Sequence, residues 1–384
     1  MKKNVAVVGI GNTAFRPKTD EYSWKELMYE AASRAYNDAG LNPRKEIDSF
    51  ITCAEDYWEG FSIYDEFVPD QIGAALRSCC TVCGDGIQGL ALAYMQIMSG
   101  AVDTVAVESH SKISDLLTYS DVLAFALDPI YNRPIGGHPH YLAGMEMRRF
   151  LRDSKCTEKD CARVVVKNKT NALKNPSSAY GTKLTTDDVK SSPEVFSPLR
   201  QLDVSNLVDG SIVMVLASAK RAKEICDNPV WITGIGWSSD TPWIENRDWG
   251  RAEYAEEASK MAYKMAGIKN PSSDIDFAEM DDKFSYKELQ HIQAAKLCRK
   301  GEAGKRLRKG HYDFEGRLPV NVSGGSLGCG NLIEASGLHR AMEVALQLRG
   351  HAGRHQIKKV VKRGLALSWR SLPTATGGAV VMEV

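Results

Sequence analysis

Apolar positions recur along this chain in two rhythms, alternating and helical, and the order in which they appear is stated twice. Val5-Ala6-Val7-Val8 is a short β-branched run closing on Gly9-Ile10-Gly11, the pattern of a buried strand that passes into a turn. From about Ser23 to Ala39, Leu27, Ala31, Ala35 and Ala39 fall on one helical face, and Gly40 stands where a C-cap belongs. A second strand is expected over Ile47 to Thr52. The glycines lack the third member of a dinucleotide fingerprint, and the helix begins only near Tyr22, so a Rossmann reading is not supported.

The same series reappears in the second half. Val230-Trp231-Ile232-Thr233-Gly234-Ile235-Gly236 repeats the first strand and its glycines, Glu257 to Ile268 repeats Glu30 to Leu41, and Ile275-Asp276 falls where Ile47-Asp48 fell. Strand, turn, helix, cap and second strand in register indicate a duplicated α/β unit. Third elements correspond as well. The turn at Cys83 leads through a helix to a stop at Gly100 and a strand at Thr104–Val107, and the turn Ser323–Asn331 leads through a helix ending near Leu348 to a strand at Gly364–Leu367. A pseudo-twofold axis would bring the two turns toward one site. Residues 1–115 with 199–228 are therefore expected to form one half and 229–384 the other. Residues 116–198 break the repeat as an inserted cap, with a His138-Pro139-His140 loop and a basic helical stretch from Thr157 to Lys174.

The stretch Thr81-Val82-Cys83-Gly84-Asp85-Gly86 carries the candidate chemistry. A cysteine in a glycine-bearing turn, followed at once by an apolar helix, sits where unpaired N–H groups and the helix dipole favour the thiolate. Against this stands the reading of an inert, cysteine-rich core strand, because Cys79 and Cys80 lie just upstream.

Composition narrows the partners. The 49 basic and 48 acidic residues nearly cancel, so no global field recruits nucleic acid or an anionic membrane. No apolar run approaches a membrane span, and a cytoplasmic protein is expected. Nine cysteines without framework spacing argue for free thiols. Cys80 and Cys83 form a CxxC with no second ligand pair, so no structural metal is expected.

With these residues in view, the chain resembles the thiolase superfamily, in its sterol-carrier-protein-like and archaeal branch. The markers are Val8–Thr13, Cys83-Gly84-Asp85-Gly86 with Ser99-Gly100, Val208–Ser211, Asp281-Asp282-Lys283-Phe284, Asn321-Val322-Ser323-Gly324-Gly325 and Gly377–Val381, and they span essentially the full length. The resemblance implies duplicated βαβαβ halves in a five-layered α-β-α-β-α architecture. It also implies an acyl-enzyme at Cys83 formed from a coenzyme A thioester, with coenzyme A as cosubstrate and nothing bound permanently. A thiolate both attacks a thioester and leaves from one, so such a site cleaves a 3-oxoacyl-CoA or runs the Claisen condensation in reverse.

The supporting residues depart from the family. The usual Gly-His-Pro is Gly330-Asn331-Leu332, the histidine of the branch's His-Asp-x-Phe is Asp281, and the C-terminal Cys or His position falls in Ser368-Trp369-Arg370-Ser371. Each departure removes the family's histidine or cysteine. Asn331 suits an oxyanion hole or a helix N-cap equally. Asp281, Asp282 and Glu334 are candidate bases if burial raises a carboxyl toward neutrality, with Asp281 favoured because it replaces a functional position. His138 and His140 are the pocket candidates among the histidines, and His339 is expected to pack on a helix face. Gly325 is expected at the substrate. Arg370 suits a substrate carboxylate and Trp369 an aryl group, which together would fit a carboxylated aromatic substrate. The rival reading is a catalytically silent thiolase-like scaffold. The resemblance further implies a homodimeric core carrying a small zinc-ribbon and oligonucleotide-fold subunit.

Overall fold

In the computed structural model, which describes residues 4–55, 63–116 and 118–384, strand β1 (Val5–Asn12) includes both Gly9 and Gly11. The glycines expected to form a turn are thus inside the strand. Their function is close approach: a Cβ on Gly11 would lie 2.2 Å from the carbonyl oxygen of Ala31, so helix α1 (Trp24–Ala39) rests directly on the strand backbone. The second half does the same, with Gly236 of its first strand set 2.4 Å, by the same measure, from the carbonyl of Ala258. Helix α1 starts on a capping box between Ser23 and Glu26 and ends at Gly40 in the left-handed region, as its sequence signals require.

The first half continues with β2 (Ser49–Cys53), β3 (Ser78–Val82), α2 (Gly86–Met98) and β4 (Thr104–Ser111). After α3 (Tyr119–Ala124), α4 (Pro139–Ser154) and α5 (Glu158–Ala172) of the inserted segment, β5 (Gly210–Ser218) closes it. The second half contains β6 (Val230–Ser239), α6 (Glu253–Ala266), β7 (Phe277–Met280), α7 (Ser285–Ala294), α8 (Gly325–Cys329), α9 (Ser336–Arg349), β8 (Arg363–Trp369) and β9 (Thr376–Glu383).

The described residues place these nine strands in one sheet, ordered β3-β2-β4-β5-β1-β6-β9-β8-β7. Each side of the β1–β6 junction repeats the other. In the first, β2 pairs parallel with β3 and β4, β4 antiparallel with β5, and β5 antiparallel with β1. In the second, β7 pairs parallel with β8 and through Ala278 with Val320, β8 antiparallel with β9, and β9 antiparallel with β6. The junction itself is two residue pairs, Ala6↔Trp231 and Val7↔Val230.

Because strand side chains alternate between faces, each half-sheet contributes to two cores. One core joins α2 and α9 to both half-sheets, through Ile87, Leu90, Leu338, Val107 and Val380. Ala31 and Ala35 of α1 back the first half-sheet, and Ala258 and Ala262 of α6 back the second. The result is the layering α1, sheet, α2 with α9, sheet, α6, the expected α-β-α-β-α order. Among the described residues no helix is long and apolar enough to cross a membrane.

The inserted segment ties its basic helix into the second half. On α5, Lys167 and Lys169 are buried, and Lys167 Nζ donates to the Val320 carbonyl at 2.7 Å and to Glu288 at 3.2 Å. Asn168 donates to Asp282 and Glu288, and Asn171 to the Asn321 carbonyl. Just beyond the helix, Asn175 reaches the Ser323 carbonyl and Glu343. These amides, spaced to share one helical face, brace the second-half turn from outside.

Candidate active site

Val82, the last residue of β3, lies opposite Cys53 of β2, and the two residues that follow carry the chain from sheet to helix. Asp85 caps α2: its carboxylate accepts from Ile87 N at 3.0 Å, and Gln88 Oε1 accepts from Asp85 N at 3.0 Å. Cys83 therefore stands two residues ahead of the cap, with its side chain exposed. Its neighbours differ. Burial pushes the Cys79 thiol up to about 12, and burial also pushes the Cys80 thiol upward. Cys83 is the exposed member of the three, which disfavours the inert-strand reading for that residue.

Asp85 and Gln88 form a capping box, and Asp85 has a second role. Ser368 of β8 donates its hydroxyl to Asp85 Oδ1, and the next helix also closes on this carboxylate, since a Cβ on Gly337 would sit 1.8 Å from that oxygen. Gly86 is likewise pressed on Leu338, its Cβ position 2.5 Å from Leu338 N. The cap of α2, two residues after Cys83, and the start of α9 are thus in direct contact.

The second-half turn is built on Asp282. Its carboxylate accepts from Ser326 N at 2.6 Å, Leu327 N at 3.2 Å and Arg340 at 2.8 Å. Gly325, at φ +61°, would place a Cβ 2.2 Å from Asp282 Oδ2. Gly325 is fully enclosed against that carboxylate, and its requirement is one of packing rather than of substrate contact. Asp281 also departs from expectation. Burial alone would raise its carboxyl, but the charges of Lys283, Arg340 and His291 outweigh burial and bring it below the ordinary value. With Lys283 Nζ 3.0 Å away, Asp281 is a buried ion-pair partner and not a base poised near neutrality.

Asn331 is not the N-cap of α9, which is Ala335, but its Oδ1 accepts from Ile333 N at 3.0 Å and from Ser336 Oγ at 3.3 Å and so holds the turn ahead of that helix. The backbone is tied on both sides, donating to the Asn206 carbonyl and accepting from Val208 N. The side-chain Nδ2 remains as a donor that makes no hydrogen bond to the described residues. Ile333 then takes φ +55°, a left-handed backbone that a β-branched residue adopts only under constraint. That bend carries Glu334, 6 % exposed. Across from it, burial and then the charges of Glu334 and Glu55 raise the Tyr119 phenol, which places all three near one another. Neither Tyr119 nor Glu55 carries a motif by which the sequence could have found it.

Three further expectations change. Arg370 is already engaged: its Nε donates to Glu55 Oε1 at 2.7 Å and its Nη2 to the same oxygen. Trp369 points to the face of β8 opposite Ser368, 1 % exposed, with Lys287 Nζ 4.0 Å over its ring and Nε1 donating to the Thr374 carbonyl. It belongs to the core. His138 is exposed at the start of α4, where its ring accepts from His140 N at 3.1 Å and stacks on Phe196. Burial drives His140 down to about 4. His339 packs edge-on against Phe15 within α9, as expected.

A family model described as "Thiolase C-terminal domain-like" matches residues 236–380. The chain is 30% identical over 390 residues to the acetyl-CoA acetyltransferase of Methanothermobacter thermautotrophicus, covering 100% of this chain and 99% of that protein. It is 26% identical over 289 residues to the benzoylsuccinyl-CoA thiolase subunit BbsB of Thauera aromatica, covering 73% of this chain and 72% of that one. Among solved structures, the Ltp2-ChsH2(DUF35) aldolase superposes with a TM-score of 0.84 at 24% identity, covering 100% of this chain and 98% of that chain.

Proposed function

Because the chain belongs to the thiolase superfamily, in the branch that holds the sterol carrier proteins, we propose that it is a coenzyme-A-dependent acyltransferase working through an acyl-Cys83 intermediate. The observation that carries this reading is the exposed Cys83 in the turn into α2, beside two cysteines whose thiols burial holds in the neutral form. In the cleavage direction the Cys83 thiolate adds to the 3-oxo carbonyl of a 3-oxoacyl-CoA. The carbon–carbon bond breaks, its electron pair passing into the thioester enolate, and the acyl group stays on sulfur. Coenzyme A then takes the acyl group and the thiolate is restored. Asn331 Nδ2 is the donor available to an oxyanion at this turn.

A carboxylated or aromatic substrate is the finer reading, supported by the benzoylsuccinyl-CoA thiolase relative. Any substrate carboxylate that reaches Arg370 must first displace Glu55. The solved neighbour whose name joins Ltp2 to ChsH2(DUF35), together with a relative named as a subunit, supports a hetero-oligomer in which a small partner joins a dimeric thiolase-like core. The second reading, a silent scaffold that binds acyl-CoA, is favoured by the amide at Asn331, the ion-paired Asp281 and the hydroxyl at Ser368.

The two readings separate in one experiment. Intact-protein mass spectrometry after mixing with an acyl-CoA should show one acyl adduct, mapped to Cys83 and absent from Cys83→Ser. An adduct on Cys79 or Cys80, or binding without any adduct, overturns the enzymatic reading.

A further inference from the structure

Thiolysis moves two protons, one onto the α-carbon of the departing thioester and one off the thiol of coenzyme A, and the groups expected to carry them are not able to do so. Asn331 presents an amide. Asp281 is held by Lys283 in the interior, and Ser368 spends its hydroxyl on Asp85. Three histidines of the second half are engaged elsewhere. His291 lies between Tyr254 and the Asp281 carbonyl, and His339 and His355 both face Glu343. His138 and His140 are at the start of α4.

We propose that Glu334 is the general acid and base of this site, an inference that rests on the acyl-Cys83 reading. Glu334 lies three residues after Asn331 on the same bent turn, and the hydrogen bond from Ile333 N to Asn331 Oδ1 at 3.0 Å holds the Asn331 amide against that turn. The left-handed Ile333 makes that bend. Immediately afterwards Gly337 and Leu338 press on Asp85 and Gly86, so the turn carrying Glu334 abuts the turn carrying Cys83. The Glu55–Arg370 pair lies just past the end of β2, the strand beside β3. A buried carboxyl on a turn that abuts the nucleophile's turn can take and return the proton the reaction moves.

The cycle balances with this one group. It starts from the Cys83 thiolate and the protonated Glu334 carboxyl. Thiolate attack and cleavage leave acyl-Cys83 and the thioester enolate, whose α-carbon takes the proton of Glu334. The resulting carboxylate removes the proton of the coenzyme A thiol, and the coenzyme A thiolate attacks acyl-Cys83. Cys83 leaves as the thiolate, and both groups have returned to their starting states.

The test follows two readouts on the full chain supplied with acetyl-CoA or succinyl-CoA in D2O: deuterium entry at the α-carbon, and acyl transfer to Cys83 by intact mass. Glu334→Gln keeps the shape and removes the proton. It is expected to slow deuterium entry by at least about 10²-fold while still acylating Cys83. Glu334→Asp, which keeps a carboxyl on a shorter arm, should recover part of that exchange. If Glu334→Gln exchanges at the wild-type rate, or if Glu334→Asp is no better than Glu334→Gln, the assignment is overturned. Exchange in the wild type without an adduct on Cys83 sinks the acyl-enzyme reading and leaves Glu334 standing. An adduct on Cys83 with exchange indifferent to Glu334→Gln does the opposite.

Discussion

Asn331 offers two separable groups on one amide, an oxygen that holds its turn and a nitrogen proposed as an oxyanion donor, and a single substitution divides them. Its Oδ1 caps the turn, a role a serine hydroxyl also fills, whereas its Nδ2 is a donor that serine places differently. Asn331→Ser is therefore expected to fold with little loss of stability and to turn over about 10²–10³-fold more slowly, with thermal melting and steady-state kinetics as the paired measurements. A slow variant that also melts early would mean the cap matters and the donor does not. Asp281 makes a prediction of a different kind. Its carboxyl lies below the usual carboxylate value in the folded state, so its ionisation stabilises the fold at any pH above about 4, and that contribution is lost as the pH falls through the lowered folded value. Asp281→Asn leaves Lys283 buried without its carboxylate, at a cost of about 3–5 kcal/mol near neutrality. The variant's acid-side loss of stability should be shallower than that of the wild type, which denaturant titrations from pH 3 to 7 would resolve.

At the scale of elements, two glycines of the first unit are required for opposite reasons. Gly40 has φ +65° with nothing within 4 Å of a would-be Cβ, so Gly40→Ala meets only the backbone penalty, about 1–2 kcal/mol. Gly11 has an unremarkable strand backbone, but Gly11→Ala drives a methyl to 2.2 Å from the Ala31 carbonyl and must push α1 off the sheet. Its cost should be at least the ~1–3 kcal/mol of an overpacked core, with the larger loss in denaturant midpoint falling to Gly11→Ala. The contrast also marks what could be read from the sequence. Helix ends were legible because caps are local: Ser23 with Glu26 and Gly40 announce α1 within a few residues. The Gly9-Ile10-Gly11 pattern was not, since a glycine that breaks a strand and one that lets a helix touch it look alike until the helix is in place. The burial on the basic helix was not legible for a related reason. Charges usually face water, and the partners that bury Lys167 and Asn168, namely Glu288 and Asp282, lie more than a hundred residues away.

The whole molecule was the most legible scale, because a duplicated order of strands, helices and caps is a long pattern, and the sheet repeats it across the β1–β6 junction, with the Val320 bridge alone standing where β3 has its counterpart. Where the two halves meet, the contact of Gly86 with Leu338 and of Asp85 with Gly337 makes the site a property of both, so neither half is expected to carry it alone. The inserted segment adds a surface that the single chain leaves open. Phe125, Ile130, Tyr131 and Ile135 are each 65% exposed or more, within one short stretch between α3 and α4. Large apolar side chains gathered in this way are characteristic of an interaction surface. The partner that the family resemblance implies is a small zinc-ribbon and oligonucleotide-fold subunit, and this stretch is its expected seat. Co-expression with such a subunit should give a complex on size exclusion that is more active than the single chain. Ile130→Asp combined with Ile135→Asp, both surface changes, should break the complex while leaving the melting of the single chain unchanged. A complex that survives both substitutions places the partner elsewhere, and a single chain that is fully active with no gain from the subunit shows that the site is complete without it.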